Sequence, residues 1–364
     1  MLHGKYGMMN KMKNQMEFFK NKRVFITGHT GFKGSWLCKI LEIAGANVTG
    51  FALQPTNPSL FSLAQIEENM ESIIGDIRNQ EELEKAFNKS KPEVVFHMAA
   101  QPLVRESYQN PAYTYDVNVM GTVNILECIR RSDTVKSFLN VTTDKVYKNL
   151  EWEWGYRETD ELDGLDPYSN SKSCSELVTH SYKKSFFENQ KIAISTARAG
   201  NVIGGGDFAK DRIIPDCIRA ALAKKDIVIR NPYSTRPFQH VLEPLFAYLL
   251  IAKKQYENIQ KQGYYNVGPR EEDCITTGEL ATIFCEKWGE NIKWINVAEE
   301  NAPKEANFLK LDCSKIKKEL GWQPTWNIEQ AVEKTVDFAK VQRQNGNCSQ
   351  CMEEQILEYI KETI

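Results

Sequence analysis

The 364-residue sequence predicts an α/β fold, a doubly wound parallel sheet with a smaller C-terminal lobe. Its first half alternates short β-rich runs with helical stretches, which is typical of a parallel sheet covered by helices. The β-rich runs are apolar throughout, as expected of strands that are buried on both faces. After about residue 200 the segments become shorter, and glycine and proline mark loops, which indicates a second lobe.

Six strands and four helices are predicted in the first half of the chain. The predicted strands are Arg23–Thr27, Asn47–Leu53, Glu71–Gly75, Val94–Met98, Ser137–Val141 and Ile192–Ala197. The predicted helices are Ser35–Ala44, Asn79–Asn88, Tyr113–Ser132 and Ser169–Glu188. Right-handed crossovers between such elements give a doubly wound sheet.

The second half and the two ends of the chain are predicted more coarsely. A further strand is expected at Tyr264–Val267, and helices are expected at Thr277–Trp288, Ile328–Gln342 and Glu353–Ile360. The sequence divides into a flexible tail at 1–20, a sheet domain at 21–199, a lobe interleaved with it at 200–345 and a second tail at 346–364.

Composition and charge exclude several classes of protein. The 46 Lys and Arg residues nearly balance the 48 Asp and Glu residues, so neither a nucleic acid nor an anionic membrane is an expected partner. The longest apolar run, Leu245–Ala252, is far shorter than the ~20 residues of a membrane span. The first twenty residues lack the apolar centre of a secretory signal. Nine scattered cysteines indicate reduced thiols in a cytoplasm, and Cys348-x-x-Cys351 lacks the second pair that would make a metal site.

A glycine-rich turn follows the first strand and opens the first predicted helix. Gly28, Gly31 and Gly34 permit a tight turn, close approach of a pyrophosphate and close packing of helix on strand. The amide groups at the helix N-terminus then face the anion. The segment from Asn47 to Leu60 contains no charged residue, so the second strand does not decide between NAD and NADP, although the lack of Arg or Lys favours NAD.

Tyr168 and Lys172 are four residues apart and therefore share one face of a predicted helix. A nearby ammonium group favours the phenolate, so we expect the pKa of Tyr168 to be lowered. Such a tyrosine can accept the proton of a sugar hydroxyl while hydride leaves the same carbon. Thr143, Asp144 and Lys145 end the preceding strand at the edge of the sheet where ligands bind, which favours a functional role.

These motifs resemble the extended short-chain dehydrogenase/reductase superfamily and, more closely, the CDP-glucose 4,6-dehydratase family. The resemblance covers nearly all of the chain except the first ~20 and last ~25 residues. It is carried by residues 28–37 (GHTGFKGSWL), 97–105 (HMAAQPLVR), 144–145 (DK), 153–158 (EWGYRE), 198–207 (RAGNVIGGGD), 236–241 (RPFQHV) and 309–315 (LKLDCSK).

The resemblance implies a Rossmann fold, tightly bound NAD and 4,6-dehydration of a nucleotide hexose such as CDP-glucose. Tyr168 would deprotonate the C4 hydroxyl during oxidation, water would leave from C5 and C6, and hydride would return to C6. Asp144 and Lys145 stand where dTDP-glucose and GDP-mannose dehydratases carry Asp-Glu, and they are assigned jointly to the elimination. A charged Lys145 is expected to lower the pKa of Asp144 and make it a poorer acid. Such a reaction would belong to deoxysugar biosynthesis, for example that of lipopolysaccharide O-antigens.

The resemblance also implies the residues that line the site. The cofactor would contact Gly28, Thr30, Gly31, Phe32, Lys33, Gly34, Asp76, Ile77, Ala99, Ala100, Gln101, Asn118, Tyr168 and Lys172. The nucleotide sugar would contact Arg105, Asn201, Arg212, Arg236 and Lys310. Arg198 is a further candidate for the diphosphate, because guanidinium groups bind phosphate oxygens bidentately. Asp76 could instead cap a helix, Asn118 could be structural, and Arg198 or Arg212 could form an ion pair.

Two alternative functions remain open at this point. The protein could be a dehydratase or 4-epimerase for another nucleotide sugar, although an epimerase has no use for Asp144 and Lys145. It could also be a non-catalytic NAD-binding regulator, which would not need Tyr168 and Lys172. The resemblance also implies a homodimer or homotetramer, in which the predicted helices Tyr113–Ser132 and Ser169–Glu188 could form a four-helix interface between two subunits.

Overall fold

A seven-stranded parallel sheet forms the centre of the protein, and this confirms the predicted fold class. The computed structural model describes residues 12–297 and 308–363. Its strands are β1 (Arg23–Thr27), β2 (Asn47–Ala52), β3 (Glu71–Ile74), β4 (Val94–His97), β5 (Ser137–Val141), β6 (Ala193–Ala199), β7 (Val202–Ile203), β8 (Ile227–Ile229), β9 (Thr235–Pro237), β10 (Gln239–His240), β11 (Tyr264–Val267), β12 (Cys274–Thr276) and β13 (Trp294–Asn296). The sheet order is β11-β6-β5-β4-β1-β2-β3.

The helices cover both faces of this sheet. They are α1 (residues 12–19), α2 (Phe32–Ile43), α3 (Leu60–Leu63), α4 (Gln80–Ser90), α5 (Val104–Gln109), α6 (Pro111–Tyr115), α7 (Gly121–Arg130), α8 (Pro167–Tyr182), α9 (Glu188–Gln190), α10 (Ile213–Leu222), α11 (Leu242–Glu257), α12 (Thr277–Trp288), α13 (Ser314–Leu320), α14 (Ile328–Arg343) and α15 (Cys348–Glu362). Val24 and Ile26 point into a core formed with α2, α11 and α15, whereas Phe25 points into a core formed with α4 and α7. Burial on both faces explains why the strands show no polar alternation.

The direction of the sheet order reverses between β1 and β4, which places a crevice outside the carboxyl ends of these strands. Ligands of doubly wound folds bind at such a point. A separate hydrophobic core joins α10, α12, α14 and β8 in the second half of the chain. Strand β11 follows part of this region in sequence and then returns to pair with β6 in the main sheet. None of the described helices is both long and apolar enough to cross a membrane.

The predicted tails are wrong where the structure describes them. Residues 12–19 form α1, and its Phe19 is fully buried, whereas residues 1–11 lie outside the described part of the chain. At the other end, α15 begins at Cys348 and packs Met352, Ile356 and Tyr359 into the main core. These apolar side chains recur at spacings of three and four residues, so the segment is an amphipathic helix of the folded domain.

Three further features of the fold were not predicted. No element was assigned to α10 or α11, although the apolar run Leu245–Ala252 lies within α11 and is largely buried. The predicted helix Tyr113–Ser132 consists of α6, a π-helical turn at Asp116–Met120, and α7. The helix after Ser169 is likewise interrupted by a π-helical turn, at Lys183–Phe187. Such turns often occur at functional sites, because they redirect side chains within a continuous helix.

Candidate active site

The glycine turn between β1 and α2 packs closely against neighbouring backbone, which is possible only because these positions lack side chains. Gly28 has φ +81°, and a Cβ atom there would lie 2.7 Å from the Ala99 amide nitrogen. A Cβ atom on Gly34 would lie 2.2 Å from the Gly28 carbonyl oxygen, so the third glycine is required for α2 to pack on β1. Gly31 is the N-cap of α2 and brings no side-chain cap, which leaves the helix amides available to an anion. This cradle fits a dinucleotide pyrophosphate.

The side chains of the turn extend from the cradle in different directions. Thr30 donates its hydroxyl to the Leu53 carbonyl at 2.9 Å, and Phe32 packs against the main core. Lys33 reaches the electrostatic neighbourhood of Arg212 and Asp144, and burial together with Arg212 lowers its pKa to about 8. The glycine turn therefore contributes a basic side chain to the same region as the Asp144 carboxylate.

The segment after β4 is joined to helix α8 by the buried side-chain amide of Asn118. The Asn118 side chain accepts the Gln101 amide at 2.9 Å and donates to the Gln101 carbonyl at 3.1 Å and to Ser171 Oγ at 2.8 Å. Asn118 lies in the π-helical turn and contacts two other segments, the loop after β4 and helix α8. Asn118 and Gln101 are thus buried and bonded to each other, while the half-buried Ala99 borders the glycine turn and Ala100, also half-buried, follows it.

Asp76 and Ile77, which are predicted to contact the cofactor, lie after β3. Asp76 binds the Arg78 side chain at 2.7 Å and its backbone amide at 2.9 Å, and Arg78 lowers the pKa of Asp76. The N-cap of α4 is Asn79, so Asp76 does not cap that helix. Ile77 is buried, and a Cβ atom on Gly121 would lie 2.9 Å from its Cγ2 atom.

Helix α8 presents the tyrosine and lysine at the carboxyl edge of the sheet. Asp166 caps the helix by accepting the Ser169 amide at 3.0 Å, and Pro167 occupies its first turn. Lys172 is buried and donates its ammonium group to the Val141 carbonyl at 3.3 Å, which anchors α8 to the end of β5. Tyr168 lies one turn earlier on the same helix.

Asp144 lies in a short helical turn directly after β5 and is almost fully buried. Its carboxylate accepts the Thr143 hydroxyl at 3.0 Å and the Asn201 amide group at 3.4 Å. A Cβ atom on Gly200 would lie 1.7 Å from Asp144 Oδ2, so this glycine is required for the carboxylate to occupy its position. The half-buried Lys145 follows, with its amide donating to Thr143 Oγ1 at 3.4 Å.

Two expectations about proton affinity are wrong, because burial outweighs the neighbouring charges. Burial raises the pKa of Tyr168 to about 12, while Thr143 and Arg212 act in the opposite direction. Burial also raises the pKa of Asp144, although Lys145 acts to lower it, so this carboxyl is better suited to donate a proton than expected. Burial and Lys33 lower the pKa of Lys172 to about 7. Loss of water penalises every charged form in this site.

The predicted substrate residues fall into two groups. Three residues lie near the reaction site. Asn201 contacts Asp144, Arg212 opposes the rise in the pKa of Tyr168, and the buried Arg236 opposes the rise in the pKa of Asp144. Arg212 also forms an ion pair with Asp207 at 2.9 Å, and the remaining two residues form ion pairs as well. Arg105 lies 3.6 Å from Asp211, and Lys310 lies 3.4 Å from Glu271 and over the Phe308 ring.

Arg198 is not a candidate for the diphosphate. Its guanidinium group binds both carboxylate oxygens of Glu176, and both side chains are buried between α8 and the sheet. A central strand buried on both faces has no polar alternation, and the sequence therefore could not indicate which way Arg198 points. Glu176 was missed altogether, although its spacing of four residues from Lys172 places both on one helix face.

The fold and the site define the class of this protein: a doubly wound α/β protein with a glycine cradle and a Tyr-x-x-x-Lys pair at the carboxyl edge of its sheet. Residues 25–335 match the sequence profile of the GDP-mannose 4,6 dehydratase family, and the chain belongs to that family. A CDP-glucose 4,6-dehydratase of Salmonella typhimurium is 47% identical over 353 residues, which cover 95% of this chain and 98% of the relative. The predicted family resemblance is confirmed.

Two solved structures show the same fold at lower identity. A UDP-glucose 4-epimerase of Thermotoga maritima with UDP-glucose superposes with a TM-score of 0.76 at 22% identity, covering 88% of this chain and 99% of the other. A dTDP-glucose 4,6-dehydratase of Bacillus anthracis in complex with NAD gives a TM-score of 0.74 at 22% identity, covering 89% and 98%.

Proposed function

We propose that this protein catalyses the NAD-dependent 4,6-dehydration of CDP-glucose to CDP-4-keto-6-deoxyglucose. The observation that carries the proposal is the meeting of two pairs at one edge of the sheet. Tyr168 and Lys172 supply the pair needed for oxidation, and Asp144 and Lys145 supply acid and base groups for elimination. The 47% identity to a CDP-glucose 4,6-dehydratase supports the choice of nucleotide.

The cofactor side of the proposal rests on the cradle. The N-terminus of α2 and the glycine turn would hold the pyrophosphate, with Lys33 beside it. NAD, when bound there, supplies reversible hydride transfer at the sugar. Lys172, anchored on the Val141 carbonyl, would fix the ribose side of the cofactor and hold positive charge near the Tyr168 phenol. Tyr168 would take the C4 hydroxyl proton. This role requires the bound sugar to place that hydroxyl within hydrogen-bond reach of the phenol.

The elimination needs one group that removes the C5 proton and one that protonates the departing C6 hydroxyl. Asp144 is suited to the second task because burial raises its pKa and so favours the protonated carboxyl, and Thr143 and Asn201 bind this group. Lys145 is then the candidate base at C5, which requires the neutral amine. Arg212 acts to lower the pKa of Tyr168 and Arg236 acts to lower that of Asp144, so both guanidinium groups lie near the proposed reaction site. They would bind the substrate diphosphate there.

The proposal is tested with a panel of nucleotide sugars. Purified protein with NAD is incubated separately with CDP-glucose, dTDP-glucose, UDP-glucose and GDP-mannose, and 4-keto-6-deoxy products are identified by the mass lost as water. Turnover of CDP-glucose at least tenfold above the others supports the proposal, as does loss of turnover when NADP replaces NAD. Equal or greater turnover of dTDP-glucose contradicts the nucleotide assignment, and a C4 epimer without water loss contradicts the reaction.

The assembly and compartment are proposed with it. We infer a homodimer or homotetramer formed through α7 and α8, since Met120, Leu177 and Phe186 are large apolar side chains exposed on this helix layer. The nine cysteines lie in the described ranges as free thiols, which fits a reducing cytoplasm. Light scattering of Leu177→Glu against the unchanged protein tests the interface, and a smaller particle is expected.

A further inference from the structure

A network of buried polar groups lies directly behind the catalytic helix. Its centre is Glu176 on α8, four residues beyond Lys172 and fully buried. Its carboxylate binds the Arg198 guanidinium through Nε at 3.0 Å and Nη2 at 2.9 Å. Both side chains are buried, and bidentate pairing of this kind fixes geometry as well as balancing charge.

Threonine hydroxyl groups from two strands complete the contacts of this carboxylate. Thr142 Oγ1 donates to one oxygen of Glu176 at 2.5 Å, and Thr196 Oγ1 donates to the other at 2.7 Å. Thr142 follows β5 and directly precedes Thr143 and Asp144, whereas Thr196 lies within β6. Each carboxylate oxygen therefore accepts two hydrogen bonds, and α8 is attached to the strands that carry the elimination site.

Arg198 extends the network towards the edge of the sheet. Its Nη1 atom donates to the Tyr147 hydroxyl at 2.8 Å and to the Glu158 carbonyl at 3.2 Å. The Tyr147 hydroxyl donates in turn to Asn266 Oδ1 on β11 at 2.6 Å. Helix α8, three neighbouring strands and the loop after Asp144 are thereby joined through buried contacts.

We propose that Glu176 and Arg198 are positioning residues that fix where Tyr168 and Lys172 lie relative to Asp144. This inference rests on the dehydratase function proposed above, because it assigns the network to the same reaction. A buried ion pair adds little stability compared with well-packed apolar residues, so orientation explains its presence better than fold stability. A displacement of about 1 Å in such a site lowers turnover roughly 100-fold.

The pair also acts on the charge of the catalytic lysine. The Glu176 carboxylate favours the ammonium form of Lys172, opposing burial and Lys33, which favour the neutral amine. Replacing that carboxylate with an amide removes the favourable charge and leaves the Arg198 guanidinium uncompensated nearby. Both changes lower the proton affinity of Lys172.

The mildest test removes one hydroxyl from the network. Thr142→Val keeps the side-chain shape, Thr142→Ser restores the donor, and Thr335→Val is the matched control. Thr335 lies on α14, is also fully buried, and donates to the Ala331 carbonyl at 2.7 Å. We expect kcat with CDP-glucose to fall about tenfold in Thr142→Val with little change in KM, to recover in Thr142→Ser and to stay unchanged in Thr335→Val.

The decisive test is the pH profile of Glu176→Gln. We expect the alkaline limb of kcat/KM, where Lys172 loses its proton, to move about one unit to lower pH. The NAD dissociation constant, measured by fluorescence over the same pH range, should move in parallel and gives a readout independent of turnover. An unchanged profile in a folded variant, or wild-type kcat in Thr142→Val, overturns the proposal; if Glu176→Gln does not fold, the threonine series decides. Absence of turnover by the unchanged enzyme would instead contradict the proposed function.

Discussion

Two buried charge clusters lie one helical turn apart on α8, and they are balanced in opposite ways. Around Glu176, a guanidinium group and two hydroxyl groups meet every hydrogen-bonding need of the carboxylate. Around Lys172 the neighbouring charges are mixed: burial and Lys33 disfavour its ammonium form, and Glu176 favours it. The Glu176 charge is thus paired by direct hydrogen bonds with a cation, whereas the Lys172 ammonium group donates to a neutral carbonyl.

The difference indicates which charges maintain the structure and which are arranged for ligands. Concentrating cations in a buried site is unfavourable until an anion enters. A dinucleotide pyrophosphate and a substrate diphosphate would supply that charge, and their binding would stabilise the protein by mass action. This arrangement explains how a chain with a net charge of −2 can bind two anionic ligands: the positive charge is local.

The largest expected effect is that of replacing Tyr168, which lies one turn before Lys172 on α8. Tyr168→Phe should lower kcat with CDP-glucose by about 10²–10⁴-fold, because a general base contributes a factor of that size. Its melting temperature should stay close to that of the unchanged protein. Tyr265→Phe is the control, since its buried hydroxyl donates to the Lys261 carbonyl at 2.6 Å, away from the site. A Tyr168→Phe enzyme with near-normal turnover would refute the assignment of the base.

Removing only one charge of the Glu176–Arg198 pair should destabilise the folded protein. Arg198→Met leaves the Glu176 carboxylate buried without its counter-charge and should lower the free energy of unfolding by about 3–5 kcal/mol in denaturant titrations. The double variant Glu176→Leu/Arg198→Met removes both charges and should recover most of this loss. If the double variant is no more stable than Arg198→Met, the effect is packing and the electrostatic comparison fails.

Removing the charge of Lys172 should stabilise the folded protein, which is the opposite of the effect expected for Arg198→Met. Lys172 has a pKa of about 7 in the folded protein, below its ordinary value of 10.5. The folded protein therefore loses stability as pH falls from about 10 to about 7, and the full cost remains below pH 7. Lys172→Met should be more stable than the unchanged protein by roughly 4 kcal/mol at pH 6 and by little at pH 10. A stability difference that does not vary with pH would contradict this charge assignment.

Glu243 is intermediate between the Glu176 and Lys172 clusters. Its replacement should have the smallest of these effects on stability. This buried carboxylate accepts the Thr325 and Trp326 amides and the Tyr359 hydroxyl, and burial raises its pKa from 4.5 to about 7. Stability should therefore fall as pH rises from about 4.5 to about 7. The stability of Glu243→Gln relative to the unchanged protein should rise by about 3 kcal/mol across that range. Parallel pH–stability curves would show that neutral donors compensate the charge as fully as Arg198 does for Glu176.

Much of the fold could be predicted from local patterns. Strand Arg23–Thr27 and helix Thr277–Trp288 have the same bounds in prediction and structure, because apolar runs and a capping box mark them. The π-helical turn at Asp116–Met120 could not be predicted, since it depends on the contacts of Asn118 with two other segments. The buried helix α11 has apolar residues on most faces and therefore lacks clear helical periodicity.

The site was predictable where a motif fixes the spacing and not where burial decides the chemistry. The glycines and the pair Tyr168 and Lys172 were located from the sequence, and the structure brings them to one edge of the sheet. The direction of the Tyr168 pKa was predicted wrongly, because the sequence does not give the desolvation of the phenol. For Arg198 the sequence left a diphosphate contact and an ion pair open, and it could not decide between them because the partner Glu176 lies 22 residues away.

The most direct test of the proposed reaction follows one hydrogen atom. CDP-glucose carrying deuterium at C4 is converted by the purified protein with NAD, and the product is examined by NMR and mass spectrometry. Because the hydride removed from C4 returns within the same closed site, we predict that deuterium reappears at C6 of the 4-keto-6-deoxy product. Loss of the label to solvent, or its retention at C4, would contradict the proposed dehydratase reaction.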